Sequence, residues 1–567
     1  MAERTIFARK ATGLVREIGF TVAVMIPIAN AVGVGWQLRV FQGMGFAPVN
    51  RADWFAGIPP VTMAFLLPGI GVLLSVYCYA VLTAAMPRSG GGYIAISRVL
   101  SPLWGMLATV FEYLAVSAAY GQIAVFVIEA FLIFGALGAV GLVLPSFFSG
   151  PIGLWILGLV IIIIFSGIAA RGARQTGQLL QVTFWIPAAI LAYVLFLFLT
   201  ASSSAMQAGV QAEFGASATA YVQQALDTGI AENSVPYWSG VTTAIFVTYW
   251  AYIGFAATTF VAGEVKEAGR RLPTIMFTAA GIIIGIYLVV SFLLARAGAA
   301  AATVGGYDLV GATGYMNFGA GSFGDLNGIG PWMPMFAYLN VADTGLASIT
   351  GWLVLIFAAL WAANDIPPFI LTTSRVLFAM AFDRVLPERI ADVNERWHSP
   401  VNAIVVTSTI ALLGAATESG LFREGGIYLG SVWESLIDGF GLSATNTWDS
   451  IFFTSFAIAL IAFPIRRPDL FERAPFRHSR EVTIGIGVVA AAVNLYFLYL
   501  FALHPTIRGG EMQALGLLTD FTLAKAMPTL VTLAIAIGTI AIYYYYRGRA
   551  AEMGADYSTI FAEIPPE

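Results

Sequence analysis

The chain has 567 residues, of which 59% are hydrophobic, 13% aromatic and only 11% charged, and its mean hydropathy is +0.82. Soluble domains carry about 45–50% apolar and about 25% charged residues, so an ordinary soluble enzyme, a disordered protein and a secreted disulfide scaffold are excluded. A net charge of −4 does not indicate a nucleic-acid partner, and one Cys with three His predicts neither a metal centre nor another resident cofactor.

Twelve apolar runs are each long enough to cross a hydrocarbon core of roughly 30 Å as an α-helix. Most Lys and Arg residues between them fall on the side of the two termini, which predicts a multi-pass protein of the plasma membrane with both ends in the cytoplasm. The sequence leaves open whether the long outer loops form interfacial helices or a lid. The predicted spans are 18–38, 61–86, 103–136, 151–170, 177–201, 239–265, 273–297, 346–380, 401–418, 446–466, 481–503 and 526–547.

The first predicted span contains several residues that interrupt helices. In IPIANAVGVGWQ, Pro27, Asn30, Gly33 and Gly35 fall within nine positions. Glycine tolerates positive φ, so the backbone is able to unwind here near the middle of the bilayer. The N–H groups of the following half-helix would then face a cavity suited to an anion. A glycine-lined contact between helices explains the same residues without any ligand.

The third predicted span carries an acidic residue, Glu112, towards its inner third, and Tyr120 lies further along. A charged side chain inside a membrane segment is costly unless it faces a cavity or a partner. Glu112 is therefore a candidate for the lining of the inward pathway.

The sixth predicted span has a single interruption signal, Gly254, among the aromatic residues of TYWAYIGFAATTF at 248–260. Alone this glycine indicates little. Spans 1 and 6, however, would each be the first span of a group of five. Interrupted segments at corresponding places in two halves of a chain indicate a transporter binding site.

The eighth predicted span holds Asp365 near mid-bilayer, followed by Pro367 and Pro368. The prolines cannot donate backbone hydrogen bonds, which frees carbonyls about one turn earlier, near Ala363 and Asn364. An aspartate at this depth costs about 2.5–3.5 kcal/mol on insertion scales. The pattern predicts a cation or proton site, and a structural hydrogen bond to a neighbouring helix is the alternative.

Three stretches carry a resemblance to a known family. They are AMPRSGGGYIAISRVLSPLWGMLATVFEYLA at 85–115, YWAYIGFAATTFVAGEVKEAGRRLP at 249–273 and TSRVLFAMAFDRVLPERIADVNERWHSPVNAI at 373–404. In order and spacing they resemble the amino acid–polyamine–organocation (APC) superfamily of secondary transporters. The resemblance implies an all-α polytopic fold of twelve transmembrane helices. Spans 1–5 and 6–10 would form two inverted five-helix repeats, spans 11 and 12 would be peripheral, and helices 1 and 6 would be broken.

The resemblance also divides the chain into segments. The predicted parts are a cytoplasmic N-terminus at 1–17, a first repeat at 18–201, an outer loop at 202–238, a second repeat at 239–466, spans 11 and 12 at 481–547, and a cytoplasmic tail at 548–567.

In the family that the chain resembles, the substrate sits between helices 1 and 6, with helices 3 and 8 completing the pocket. An amino acid carboxylate would meet the backbone of residues 31–35, and the amine would meet carbonyls near 27–29 and 252–254. The residues so implied for substrate binding are Asn30, Ala31, Val32, Gly33, Val34, Gly35, Tyr120, Tyr252, Ile253, Gly254 and Phe255. The residues predicted for ion or proton coupling are Asp365, Asn364 and Glu112.

The sequence departs from the family pattern at two of these positions. Val32 is bulkier than the residue usual in the first broken helix, and Asp365 stands where small or hydroxyl residues are more common. The departures bring the substrate carboxylate contact into question and leave Asp365 able to replace a sodium site, to accept a proton or to contact a cationic substrate.

Charged residues at the inner ends of the spans are candidates for a gate. They are Arg88, Glu264 and Arg375. A plain positive-inside bias explains Arg88 equally well, as it does Arg98 in the same 87–102 loop. Glu264 and Arg375 are alternatively solvated caps of helix ends.

The function expected from these features is secondary active transport of an amino acid or a related amine by alternating access. Coupling to a proton or a sodium ion, or exchange, remains open, as does a polyamine substrate.

The sequence shows no P-loop and no catalytic constellation, so neither an ATP-driven pump nor an enzyme is expected. An ion channel or non-transporting sensor is the alternative class, but no selectivity loop is visible. Besides substrate and ion, the lipid bilayer is the expected partner, and the oligomeric state is not indicated.

Overall fold

Long α-helices make up most of the chain in the computed structural model, which describes residues 13–319, 329–438, 440, 442–502, 523–554 and 557–564. Most of the predicted N-terminal segment 1–17, and the last residue of predicted span 11, lie outside the described residues.

The first part of the chain contains nine α-helices in the described residues. They are α1 (Phe20–Ala31), α2 (Arg39–Phe46), α3 (Pro60–Ala85), α4 (Gly92–Val99), α5 (Pro102–Gly135), α6 (Pro151–Ala169), α7 (Ala173–Thr200), α8 (Ser203–Phe214) and α9 (Ala218–Asp227).

The second part adds a two-stranded antiparallel hairpin, β1 (Thr303–Val304) and β2 (Tyr307–Asp308), and further helices. These helices are α10 (Tyr237–Trp250), α11 (Ala257–Phe260), α12 (Ala268–Ala301), α13 (Leu309–Gly314), α14 (Met333–Leu339), α15 (Ala347–Phe382), α16 (Val401–Ser419), α17 (Ser431–Asp438), α18 (Leu442–Arg466), α19 (Pro468–Arg473), α20 (Arg480–Ala502), α21 (Leu523–Glu552) and α22 (Tyr557–Ala562). Short 3-10 turns lie at Arg51–Asp53, Phe55–Gly57, Ser146–Ser149, Ala262–Glu264 and Glu388–Ala391, and a π turn lies at Tyr315–Gly319.

Ten helices of the described chain are long and apolar enough to cross a membrane. The side chains of α5 and α15 are largely buried, and these two helices pack against each other at the centre of the bundle. Most side chains in the apolar parts of α6 and α21 are at least partly exposed, as expected of helices that face lipid. The chain is therefore a multi-pass, mostly helical membrane protein. The ten helices are α3, α5, α6, α7, α12, α15, α16, α18, α20 and α21.

Two of the twelve predicted spans are interrupted. Helix α1 ends at Ala31 and α2 begins at Arg39, so the glycine-rich stretch between them is not helical. Helix α10 ends at Trp250 and α11 begins at Ala257, and Gly254 between them has a φ of +107°. Each interruption leaves backbone groups outside the ladder of helical hydrogen bonds.

The loop between α7 and α10 forms two short helices rather than an irregular segment. Ser202 begins α8 by accepting a hydrogen bond from Ala205 N at 3.3 Å, and Ser217 begins α9 in the same way from Ala220 N at 3.2 Å. Serine is favoured at this position because its hydroxyl satisfies a backbone N–H that the first turn leaves free. The sequence alone does not distinguish these interfacial helices from a lid.

Candidate functional site

The two interrupted segments face each other at the centre of the bundle. The hydroxyl of Tyr287 on α12 lies 2.5 Å from the carbonyl oxygen of Ala31 and 2.6 Å from that of Ala251. Both carbonyls stand at helix ends, where the helix itself supplies no donor. A single tyrosine proton is thus shared between the two interruptions.

A second contact joins the same segments. At Gly254 an added Cβ would lie 2.6 Å from Oδ1 of Asn30 and 2.7 Å from its carbonyl oxygen, too close for any other residue. The Asn30 side chain is buried, and its Nδ2 has no hydrogen-bond partner within the described part of the chain. An unpaired buried amide costs free energy, which makes it a group ready to bind a ligand.

Asp365 of α15 reaches into the interruption between α1 and α2. Its carboxyl group accepts a hydrogen bond from the backbone N–H of Val34, and a Cβ added at Gly33 would overlap this carboxyl group. Asp365 is 2% exposed, and its Oδ1 has no partner among the residues that the structure describes. Free N–H groups at the start of a half-helix attract anions, and here the protein's own carboxyl group fills that position.

A small cavity lies between the two interruptions and helices α5, α15 and α18. Its volume is about 10 Å³, which is room for about one water molecule. Its polar lining consists of Asn30, Asp365, Thr445 and Asp449, and none of its described lining residues is basic. The protein is therefore closed around a cavity that is acidic and too small for an amino acid.

Beside this cavity, Glu112 of α5 and Asp449 of α18 form a hydrogen bond between their carboxyl groups. The two residues are 4% and 1% exposed. An ionised carboxylate only accepts hydrogen bonds, so a bond between two carboxyl groups requires a proton on one of them. Glu112 therefore meets a second acid that the sequence analysis did not single out.

At the predicted cytoplasmic end, two buried ion pairs join helices. Arg375 donates to both carboxylate oxygens of Glu264, at 2.7 and 2.9 Å, and Arg98 binds Asp383 in the same two-pronged way at 2.5 and 2.9 Å. All four side chains are almost completely buried. They are thus not solvated helix caps, and such paired contacts fix the relative positions of the helices that carry them.

The predicted outer end of the cavity is covered by Trp250, one of its lining residues. The guanidinium of Arg39 stacks 5.2 Å from the Trp250 ring and 5.3 Å from the Phe126 ring. Arg39 Nη2 also lies 3.8 Å from Oε2 of Glu418. This end is closed by ring stacking and one long ion pair, weaker contacts than the buried pairs at the opposite end.

Comparison with known sequences identifies the family. The profile of the family described as "Amino acid permease" matches residues 42–532, most of the chain. The chain belongs to the amino acid permease family. This confirms the resemblance to the APC superfamily.

Several proteins that are similar in sequence to this permease are named as transporters. The methylthioribose transporter of Bacillus subtilis is 23% identical over 505 residues, 86% of this chain and 89% of that protein. An uncharacterized transporter of Mycobacterium tuberculosis is 25% identical over 412 residues, 71% and 74% of the two chains. Mitochondrial cationic amino acid transporter 3 of Arabidopsis thaliana is 23% identical over 401 residues, 69% of this chain and 57% of that one.

The residues predicted to bind substrate are only partly brought together in the permease. Four line the cavity through their backbone or side chains: Asn30, Ala31, Gly35 and Ile253. Gly33 and Val34 meet Asp365 instead, and Val32 is buried at the end of α1, where its N–H bonds Ile28 O at 2.7 Å.

Three predicted aromatic residues point elsewhere. The Tyr120 hydroxyl donates to the Ile162 carbonyl at 2.9 Å, and the Tyr252 hydroxyl donates to the Phe65 carbonyl at 2.9 Å. Phe255 packs against Tyr79 and Phe453. In this conformation none of the three is among the residues that line the cavity.

The three residues predicted for ion coupling have three different surroundings. Asp365 faces the first interruption and Glu112 faces Asp449, whereas Asn364 accepts a hydrogen bond from Thr183 Oγ1 on α7 at 3.0 Å. Of the predicted gate residues, Glu264 and Arg375 meet, while half-buried Arg88 donates to the Pro87 carbonyl at 3.2 Å.

Sequence reasoning missed Asp449 and Tyr287. Asp449 is an acid inside a predicted span, so the argument applied to Asp365 would have found it. Tyr287 stands in the aliphatic run GIIIGIYLVV, where a lone hydroxyl is the only signal.

Proposed function

We propose that this permease is a secondary active transporter that moves an amino acid or a related amine by alternating access. The observation that carries the proposal is the meeting of two interrupted helices across a buried polar cavity. Inside a membrane, backbone outside regular helices is tolerated only where it is buried in protein or lines a cavity. Transporters hold their substrates at such places, near the bilayer midplane.

The same proposal includes twelve spans arranged as two inverted repeats, spans 1–5 and 6–10. Its support is the matching order of elements after each interruption. The first four long helices after the first interruption are α3, α5, α6 and α7, and the first four after the second are α12, α15, α16 and α18. The second helices in each series are the longest, with 34 and 36 residues, and the third have 19 residues each.

Alternating access requires that each end of the cavity opens in turn. We assign the gate at the predicted cytoplasmic end to the Glu264–Arg375 pair, and closure of the other end to Trp250 under Arg39. The distribution of Lys and Arg supports the orientation with both termini in the cytoplasm. The proposal includes the plasma membrane as the location. Arg88 remains a predicted gate residue by sequence only.

Within the class of amino acids and amines, the site favours a substrate with a cationic amine. The cavity has two lining acids and no basic lining residue among those described, and a buried charge is stable only when it is paired. A substrate carboxylate would have to displace Asp365 from Val34. The names of similar proteins, from methylthioribose to cationic amino acids, do not choose between substrates.

An α-amino acid is the second candidate, favoured by the free N–H groups of the first interruption if Asp365 moves away from them. The two candidates separate in a screen of the full chain in detergent, by thermal shift against putrescine, spermidine, arginine and alanine. A ligand at 100 times its Kd stabilises the folded state by about 2.7 kcal/mol.

The screen is followed by counterflow of each labelled hit in proteoliposomes. Putrescine or spermidine binding and exchange, with alanine inactive, is the expected result. Exchange of alanine alone would select the second candidate. Exchange of no amine and no amino acid would contradict the proposed function.

A further inference from the structure

We infer that Glu112 and Asp449 hold one proton between them and release it when a cationic amine enters the cavity, so that the permease exchanges protons for its substrate. The inference rests on the proposed transport of a cationic amine and adds to it a coupling ion and a site for that ion.

The geometry of the pair itself requires the shared proton. The carboxyl groups of Glu112 and Asp449 are hydrogen-bonded and both side chains are buried. Two ionised carboxylates in contact repel, and in a cavity with little water the repulsion is weakly screened. One O–H therefore lies between the two acids, and the pair carries one negative charge.

The groups around the pair do not supply a counter-charge. Tyr79 of α3 and Tyr249 of α10 face both acids, and the Tyr249 hydroxyl lies 3.5 Å from Ser450 Oγ on α18. Across the cavity, α15 presents Asp365. None of these described neighbours is basic, so a second negative charge on the pair needs a cation from outside the protein.

The cavity provides the place for that cation. Asp449 lines it, and so do Asn30 and Asp365, whose Nδ2 and Oδ1 atoms are buried without a partner among the described residues. An ammonium group that enters beside Asp449 stabilises the doubly ionised pair. The O–H bond of the shared carboxyl then breaks and its proton passes to water, while the ammonium keeps all of its own protons. When the amine leaves on the other side, a proton from that solution restores the pair.

Competition between proton and amine for one site gives exchange. The first test imposes a pH gradient, acid inside, on proteoliposomes with the membrane potential held at zero by potassium and valinomycin. One pH unit is expected to support up to about tenfold accumulation of labelled putrescine by one-for-one exchange. Glu112→Gln and Asp449→Asn should both abolish this gradient-driven accumulation, because neither variant retains two acids that can share a proton.

Asp469→Asn is the control, an acid-to-amide change at an exposed residue of α19 that is not part of the cavity lining. It should accumulate putrescine as the unmodified chain does. Size-exclusion chromatography and melting curves check that each variant is folded. Accumulation that does not depend on the pH gradient, or that persists in Asp449→Asn, overturns the inference. The proposed function is still supported in that case if the unmodified chain shows counterflow. Absence of counterflow in the unmodified chain contradicts the proposed function and the inference with it.

A second test counts the proton directly. Calorimetric titration of the full chain with putrescine, in two buffers of different ionisation enthalpy at one pH, should give release of about one proton for each amine bound. The release should vanish in Glu112→Gln and Asp449→Asn and persist in Asp469→Asn. Equal binding heats in both buffers for the unmodified chain would overturn the inference.

Discussion

Among single residues, Asp365 joins the two parts of the site, because it bonds the first interruption and also lines the cavity. Its hydrogen bond from Val34 uses one side of the carboxyl group, and Oδ1 remains without a partner within the described residues. The Val34 N–H offsets part of the cost of burying this group, and a cation that enters the cavity would meet the free Oδ1.

The variant Asp365→Asn keeps the shape of the side chain and a carbonyl oxygen for Val34, but removes the acid that can ionise beside a bound ammonium group. A hydrogen bond to a charged group contributes about 1.5–3 kcal/mol, so the Kd for putrescine is expected to rise about 10- to 100-fold. Isothermal titration measures the change, and the melting temperature should stay near that of the unmodified chain.

Thr183→Val is the control for the Asp365 variant, since it removes the hydrogen bond of the neighbouring Asn364 on the side away from the cavity. Its putrescine affinity should be unchanged. If Asp365→Asn bound putrescine as tightly as the unmodified chain, the carboxylate would have no part in substrate binding.

Among the elements, the two interrupted helices have the strictest sequence requirement. Gly254 adopts a φ of +107° directly against Asn30, so both its backbone conformation and its lack of a side chain are needed. A β-branched residue there adds backbone strain of about 1–3 kcal/mol besides the overlap. The second interruption therefore depends on the absence of a Cβ atom at position 254.

Gly254→Val is expected to reduce putrescine counterflow at least about tenfold, because forcing the segments apart disrupts the cavity between them. Gly281→Val is the control: Gly281 lies on an exposed part of α12, with open space where a Cβ would be added. It should retain counterflow. Normal transport by Gly254→Val would show that close contact between the interruptions is dispensable.

The positions of the elements follow from the sequence, whereas the partners at the site do not. Ten of the predicted spans correspond to long helices, because about twenty apolar residues between polar loops leave few alternatives, and the glycines mark both interruptions. The contacts of Glu112 with Asp449 and of Tyr287 with Ala31 join residues hundreds of positions apart. Which faces of distant helices meet is decided by packing of the whole bundle, which no local pattern encodes.

At the scale of the whole molecule, the two ends of the bundle are closed by unequal means. Buried two-pronged ion pairs hold the predicted cytoplasmic end, and stacking of Arg39 over Trp250 covers the other. Removing one partner of a buried pair costs about 3–5 kcal/mol because the remaining charge is uncompensated. Opening of the cytoplasmic end should therefore be sensitive to a single substitution.

Glu264→Gln is expected to open the predicted cytoplasmic end. The assay uses Ala115→Cys in the cavity lining, in a Cys78→Ser background, and a charged thiol reagent supplied from the side of the termini. Labelling should be at least about tenfold faster than with Glu264 intact. Asp469→Asn, which breaks an exposed pair with Arg467 at 3.2 Å, is the control and should not change the rate. Equal rates in all three proteins would remove Glu264 from the gate.

Tyr287 and Asp365 have a consequence for how a complete transport cycle runs. Their side chains satisfy the helix-end carbonyls and the Val34 N–H while the enclosed space is only about 10 Å³. A transporter whose own side chains satisfy these groups can close at both ends without a bound substrate. It can return to the first side with only the shared proton bound, so the permease would carry out net transport of the amine rather than a one-for-one exchange of identical molecules.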